Sequence, residues 1–219
     1  MAYVYPAVVG VTVAVGLGGV VWLVRRARGK SLALLGPRKS GKTTLATFLQ
    51  TGEIPRGYQP TAMRSTLKAR QRPRGTRKLP LGIKMQDVAL KLTILDNAGV
   101  TPHEMAHYRI WQESASQVDV ICYLVDVTSL SNARTSSVAV NGARHIARWE
   151  SAASRRVLIL THTDLDPAGI RGDHDEIAGR PAVMDLRREL QAEEIIMGSL
   201  KEENGTRDLT YSLLQFVAR

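Results

Sequence analysis

The stretch Gly36-Pro37-Arg38-Lys39-Ser40-Gly41-Lys42-Thr43 decides the fold, because it fits the phosphate-binding pattern G-x-x-x-x-G-K-[ST]. The two glycines let the backbone curl so that successive N–H groups point at a phosphate. Lys42 supplies a point charge for the β- and γ-phosphates, and the Thr43 hydroxyl is a suitable Mg²⁺ ligand. The residues that we predict to bind a nucleotide here are Gly36, Arg38, Lys39, Ser40, Gly41, Lys42, Thr43 and Thr44.

The sequence on either side of this stretch supports the motif. Residues 31–35 are an apolar run that predicts a buried strand, and residues 44–50 place apolar side chains at helical spacing. A strand, a glycine-containing loop and a helix N-terminus are the context in which such a loop binds phosphate.

The rest of the chain alternates predicted strands and helices. Further strands are predicted at residues 88–95, 118–127, 156–160 and 195–197, and further helices at 104–117, 133–150, 181–194 and 206–219. Residues 165–180 are predicted to be a polar loop. This alternation indicates an α/β fold with a mostly parallel sheet and helices on both faces. Ligands of such sheets bind at the carboxyl ends of the strands.

Two polar motifs follow predicted strands. Asp96-Asn97-Ala98-Gly99 matches D-x-x-G, which offers a carboxylate near Mg²⁺ and a glycine N–H for a γ-phosphate. Thr161-His162-Thr163-Asp164 ends in a carboxylate that can accept two hydrogen bonds from the N1 and N2 edge of guanine, which adenine cannot donate.

Taken in order, these motifs resemble those of the Ras-like small GTPases, from about Leu32 to the C-terminus. Tyr58-Gln59-Pro60-Thr61 is similar to the Tyr-x-Pro-Thr of the first switch, and Thr61 follows Lys42 by 19 residues, as in Ras. The resemblance implies a three-layer P-loop GTPase fold that binds GTP or GDP with Mg²⁺. It also implies that Thr61 closes over Mg²⁺ and the γ-phosphate, and that Ser199-Leu200-Lys201 contacts guanine.

By this resemblance, the residues form three sets. The catalytic set is Lys42, Thr61 and Gly99. The Mg²⁺ ligands are Thr43, Thr61 and Asp96. The nucleotide contacts outside the loop are Thr61, Gly99, Thr161, His162, Asp164, Ser199 and Leu200.

The sequence departs from the family pattern at four positions. Thr161 replaces the usual Asn, as in Rho-like proteins, and His162 replaces the Lys whose stem lies on the base. Val100 stands where a Gln usually orients the attacking water, so we expect hydrolysis to be slow or to depend on another residue or a partner. His103 is the nearest candidate for a substitute, but we favour a solvated or structural role for it. Arg38 replaces a small residue, and the sequence leaves open whether it stabilises transition-state charge or obstructs an activating protein.

The N-terminus predicts a membrane anchor. Residues 4–24 are 21 consecutive residues without a charge, which as a helix would extend about 31 Å, the thickness of the bilayer's hydrocarbon core. The charges follow this run, as in a retained anchor, whereas a cleaved signal peptide carries them before it. Arg25, Arg26 and Arg28 are then cytoplasmic. We therefore predict a transmembrane anchor at 1–24, a basic linker at 25–30 and a cytoplasmic domain at 31–219. The order of anchor and domain resembles, in architecture only, the beta subunit of the signal-recognition-particle receptor.

Cysteine content limits the kinds of covalent and metal site in the chain, and the distribution of charge limits the kinds of binding partner. The chain has 219 residues, a formal net charge of +10 and one cysteine, Cys122, which excludes an internal disulfide and a cysteine-based zinc site. Seven cations occur without an acid between them: Arg64, Lys68, Arg70, Arg72, Arg74, Arg77 and Lys78. This basic segment is predicted either to face anionic lipid, to bind a partner or to be a solvated loop; nucleic acid is not favoured, because no aromatic residue is interleaved.

The sequence therefore predicts a membrane-anchored small GTPase that acts as a slowly hydrolysing switch and has a protein effector or regulator. The alternatives are a GTP-binding scaffold that recruits a partner with little or no hydrolysis, and an ATPase.

Overall fold

The structure is a computed structural model that describes residues 26–27, 29–55, 65–70, 91–96, 112, 116, 118–148 and 155–219, with the backbone alone at 65–70 and 91–96. Its strands are β1 (Ser31–Leu35), β2 (Ser65–Arg70), β3 (Lys91–Asp96), β4 (Val120–Asp126), β5 (Arg155–Thr161) and β6 (Glu194–Met197). Its α-helices are α1 (Lys42–Thr51), α2 (Ala133–Ala147), α3 (Pro167–Ile170), α4 (His174–Ala178), α5 (Pro181–Leu190) and α6 (Glu203–Ala218).

The six strands form one sheet in the order β2-β3-β1-β4-β5-β6. The pairs β3–β1, β1–β4, β4–β5 and β5–β6 are parallel, whereas the edge strand β2 is antiparallel to β3. The carboxyl ends of the five parallel strands therefore meet at one edge of the sheet, as we expected for the ligand site.

Side-chain alternation along β1 divides the core into two layers. Leu32 and Leu34 belong to a cluster that includes Leu45 of α1 and Leu213 of α6. Ala33 and Leu35 belong to a second cluster on the other face of the sheet, with residues of α2 and α5. Successive residues of a strand point to opposite faces, so a fully apolar strand requires helices on both sides. This arrangement confirms the prediction of an α/β fold with helices on both faces of a mostly parallel sheet.

The structure corrects the predicted elements in two places. Residues 165–180 contain α3 and α4 rather than loop alone, and both helices are too short to show a hydrophobic period. The basic segment is not loop throughout, because Lys68 and Arg70 lie in β2. Arg70 is opposite Lys91 in the register, at the edge where β1 begins. The chain between β2 and β3 therefore starts and ends at the edge opposite the phosphate-binding loop.

The described residues before β1 include one that belongs to the domain core. Ala27 is fully buried in the cluster of α1 and α6, and its carbonyl accepts a hydrogen bond from the Lys30 N–H at 3.2 Å. Within the described ranges, we find no helix with the length and apolar character that a bilayer span requires. The predicted anchor at residues 4–24 lies outside those ranges, as do the predicted switch residues 58–61 and most of the predicted helix at 104–117.

Candidate nucleotide-binding site

The phosphate loop, residues 36–43, connects β1 to α1 by a tight turn. Gly36 has a φ of 141°, and a Cβ atom there would lie 3.1 Å from the carbonyl carbon of Leu124 in β4 and closer to its oxygen. Gly41 has a φ of 82° and is the N-cap of α1, where no side chain caps the helix and the first turn carries no acid. The dipole of α1 therefore favours an anion at this helix N-terminus, and no acidic side chain in the first turn opposes it.

Lys42 is held inside the loop. Its ammonium group donates to the carbonyl oxygens of Gly36 at 3.1 Å and Pro37 at 2.6 Å, and lies 3.3 Å from Ser40 Oγ. Only 5% of the Lys42 surface is exposed, whereas Arg38 and Lys39 on the same loop are exposed. The loop thus encloses one cation and presents two others at its rim, a charge distribution suited to a polyphosphate.

The residues 161–164, here called the base turn, contact the phosphate loop. The buried Thr161 hydroxyl at the end of β5 lies 3.2 Å from the carbonyl oxygen of Ser40 and 3.4 Å from that of Val125. This contact across 121 residues of sequence joins the two predicted motifs into one site.

Asp164 presents an unsatisfied acceptor in the base turn. It lies in a short 3-10 turn, Thr163–Leu165, and its buried Oδ1 atom has no hydrogen-bond partner among the described residues. Burying a carboxylate oxygen without a partner is costly, so such an atom indicates a ligand that donates to it. The guanine edge supplies donors of this kind, and the base turn therefore fits the group that the sequence predicts.

Leu200 closes the site from the β6 side. A Cβ atom on Gly41 would lie within 3.0 Å of Leu200 Cδ1 and 3.8 Å from Thr161 Cγ2, so these three residues meet at one point. The preceding Ser199 turns the chain, since its Oγ accepts from the Lys201 N–H at 3.1 Å. The structure thus brings Leu200 of the Ser-Leu-Lys motif against both the phosphate loop and the base turn.

His162 has a neighbour that the sequence did not indicate. It adopts a left-handed backbone with a φ of 60°, and its Nδ1 lies 3.0 Å from Thr161 Oγ1 and 3.8 Å from Asp126 Oδ2. Asp126, at the end of β4, accepts from the Thr128 N–H at 2.9 Å and the Thr128 hydroxyl at 2.7 Å. The imidazole that replaces the usual lysine therefore faces a carboxylate as well as Thr161.

The predicted Mg²⁺ and γ-phosphate residues are only partly described. Thr43 is in the first turn of α1, next to Lys42. The backbone of Asp96 pairs with Leu34, two residues before Gly36, so the end of β3 lies beside the phosphate loop. Thr61, Gly99, Val100 and His103 lie outside the described residues.

A second carboxylate near the base turn was missed by sequence reasoning. Asp166 is buried, accepts from the Ala168 N–H at 3.0 Å and is bound by both terminal nitrogens of Arg180 at 2.6 and 2.8 Å. The Arg180 guanidinium, against the opposing effect of burial, holds the pKa of Asp166 below its usual range. Asp166 and Arg180 are 14 residues apart in a segment without a hydrophobic period, so no local pattern indicated the pair.

Comparisons with known proteins agree with this arrangement at the level of the fold. No protein-family model and no curated protein sequence matches the chain. Among solved structures, it is similar to the Arl6 (BBS3) small GTPase from Trypanosoma brucei, whose structure contains the nucleotide analogue GppNp. The TM-score is 0.56, and the alignment covers 86% of this chain and 96% of that chain at 14% sequence identity. Together with the strand order and the loop between β1 and α1, this likeness shows that the chain has the fold of a Ras-like small GTPase.

Proposed function

We propose that the chain is a membrane-anchored GTP-binding protein that acts as a slowly hydrolysing molecular switch. The observation that carries the proposal is the contact between Thr161 and the Ser40 carbonyl, at 3.2 Å, which joins a base turn to a phosphate loop. The unpartnered Oδ1 of Asp164 supports guanine in particular, because the N1 and N2 groups of guanine would both donate to this carboxylate.

The residues divide between the two ends of the nucleotide. Lys42 and the N–H groups of the phosphate loop would hold the phosphates, while Thr161, His162, Asp164, Ser199 and Leu200 would surround the base. Thr43, Thr61 and Asp96 are the residues that would hold Mg²⁺, which neutralises charge on the phosphates.

Val100 favours a second candidate function. A valine side chain neither donates nor accepts a hydrogen bond, so it cannot orient a water for attack as the usual glutamine does. A scaffold that holds GTP and recruits a protein partner, with little or no turnover, would need no such group. The two functions share the binding site and differ only in the release of phosphate.

We also propose that residues 1–24 anchor the domain in the membrane, with the domain in the cytoplasm. The proposal rests on the 21 uncharged residues at 4–24 and the arginines that follow them. The connection between β2 and β3 starts at Arg70, at the sheet edge where β1 also begins. The basic segment continues into this connection, so we favour anionic lipid as its partner.

Nucleotide choice tests the first proposal. The full chain, purified in detergent, is titrated with fluorescent GDP and ADP, and the nucleotide that copurifies with it is identified. We expect clear selectivity for GDP in the unmodified chain and its loss in Asp164→Asn, which removes the acceptor of the guanine N–H groups. Selectivity that survives Asp164→Asn would refute the guanine assignment and favour an ATPase.

Single-turnover hydrolysis separates the switch from the scaffold. GTP is bound to the full chain, and phosphate release is followed with and without cell lysate. Release in either condition supports the switch, and its absence in both refutes the enzymatic function.

Retention of the chain in the membrane pellet after alkaline carbonate extraction tests the anchor, and recovery in the supernatant would contradict it.

A further inference from the structure

The segment between the base turn and α5 contains an ion pair between Asp166, which is buried, and Arg180, whose side chain is 31% exposed. Asp166 is 6% exposed, and Arg180 grips its two carboxylate oxygens with two separate nitrogens. An arginine that donates from two nitrogens to one carboxylate fixes the orientation of both groups as well as their distance. Removal of Arg180 would leave the buried Asp166 carboxylate without its charged partner, which would destabilise the fold. We therefore expect the Asp166–Arg180 pair to fix the position of the backbone around Asp166.

The pair is connected directly to the turn that carries Asp164. The Asp166 N–H donates to the Thr163 carbonyl at 3.2 Å, and the Leu165 N–H donates to the His162 carbonyl at 3.0 Å. Both of these hydrogen-bonded turns enclose Asp164. Asp166 therefore closes the turn through its backbone N–H and binds Arg180 through its carboxylate.

Helix α3 packs on the same turn from the other side. Asp166 caps α3 by accepting from the Ala168 N–H at 3.0 Å. Gly169 of α3 leaves no space for a side chain, because a Cβ atom there would lie 2.9 Å from the carbonyl carbon of Thr163 and closer to its oxygen. The backbone of α3 is therefore pressed against Thr163, next to Asp164, and Asp166 determines where α3 begins.

We propose that Asp166 and Arg180 are positioning residues that set the guanine selectivity of the site, acting through the backbone of the Thr163–Leu165 turn on the Asp164 carboxylate. The inference rests on the proposed function. A hydrogen bond from guanine to a carboxylate requires a donor–acceptor distance within a few tenths of an ångström, so a loosened turn weakens the base contact. The base turn meets the phosphate loop through Thr161, outside Thr163–Leu165, so the phosphate contacts should remain when Thr163–Leu165 loosens.

The test compares GDP with IDP, which lacks only the 2-amino group, so that the ratio of their dissociation constants isolates the contact with Asp164. The full chain in detergent is titrated with both nucleotides, as are Asp166→Asn, Arg180→Lys and Arg171→Ala. Asp166→Asn keeps the size of the side chain, and Arg180→Lys keeps the charge but not the two-pronged grip. Arg171 is the control: it pairs with Glu176 at 2.7 Å in the same segment, and Glu176 lies 3.4 Å from Arg180, so Arg171→Ala removes a nearby charge while it leaves both bonds between Arg180 and Asp166 in place.

We expect Asp166→Asn and Arg180→Lys to lower the GDP/IDP preference by roughly tenfold, part of what one hydrogen bond to a charged group contributes. Affinity for pyrophosphate, which reports only the phosphate loop, should be unchanged in both variants, and Arg171→Ala should keep the wild-type ratio. The ratio is independent of the fraction of folded molecules, so a role in stability alone would leave it unchanged.

A wild-type ratio in both variants would overturn the positioning role. If Asp166→Asn does not fold, Arg180→Lys decides by the same criterion. A wild-type chain that binds GDP and IDP equally would instead refute the proposed guanine site itself, so the two failures are distinguishable.

Discussion

Gly36 offers the sharpest test of how the phosphate loop is built into the sheet. In Gly36→Ala, the new methyl group would lie 3.1 Å from the carbonyl carbon and 3.2 Å from the amide nitrogen of Leu124, and closer to the carbonyl oxygen. Leu124 is in the middle of β4, which pairs with β1 on one side and β5 on the other, so its backbone cannot move without disturbing both pairings. The φ of 141° adds strain for any residue with a Cβ atom.

The cost of backbone strain and the cost of the clash with Leu124 add up to an order-of-magnitude figure for the change in the free energy of unfolding. A non-glycine residue in a disfavoured backbone region costs about 1–3 kcal/mol, and overpacking typically costs about 1–3 kcal/mol more. We therefore expect Gly36→Ala to lower the free energy of unfolding by about 4 kcal/mol. For a domain of this size, each kcal/mol lowers Tm by about 2–4 °C, so the expected loss is about 8–16 °C.

Gly172→Ala is the matched control. Gly172 also has a positive φ, 74°, but no atom of the described residues lies within 4 Å of a Cβ atom built there. Only backbone strain of about 1–2 kcal/mol remains, which lowers Tm by about 2–8 °C. Thermal unfolding of the full chain in detergent, followed by circular dichroism, measures both. Equal losses of Tm in the two variants would show that the contact with Leu124 does not constrain the loop.

Three further results are expected. Lys42→Met should weaken binding of GTP and GDP by at least about tenfold, because it removes the charge at the phosphates; isothermal titration measures this, and unchanged affinity would contradict the role of Lys42. Because the Arg180 guanidinium lowers the pKa of Asp166, the pair stabilises the fold above about pH 5 and loses this effect as the pH falls below about 4. The difference in free energy of unfolding between wild type and Asp166→Asn should therefore shrink in acid. Urea titrations at several pH values measure this difference. Burial raises the pKa of the Cys122 thiol far above neutrality, so iodoacetamide at pH 8 should label the chain only after denaturation, and rapid labelling of the native chain would contradict its place in β4.

The core of the fold was predictable because its strands are apolar on both faces. Ser31–Leu35 and Val120–Asp126 contain short apolar runs next to turn residues, as a strand covered on both faces does, and the structure has both of them as strands. The phosphate loop was predictable for a related reason, since it combines a fixed residue pattern with a strand before it and a helix after it.

Edge and loop features escaped sequence reasoning. Among the described strands, β2 pairs with β3 alone, and its sequence Ser-Thr-Leu-Lys-Ala-Arg carries charge in place of an apolar run. An edge strand of this kind has no continuous apolar signal. The grip of Arg180 on Asp166 joins residues that no secondary-structure period relates, so it becomes visible only when the chain is folded.

The buried Ala27 has a consequence for how an anchored domain would meet its partners. If residues 4–24 span the bilayer, only two residues, Arg25 and Arg26, lie between the end of that span and the Ala27 side chain in the core, and the three steps from residue 24 to residue 27 reach about 10 Å at most. The domain would then lack the rotational freedom of a protein on a long tether. Its nucleotide-binding edge would point away from the lipid at a nearly constant height, because β1 runs from the anchored end of the sheet to the phosphate loop. Soluble proteins, or the extended arms of other membrane proteins, would reach that edge from the aqueous side in a single orientation.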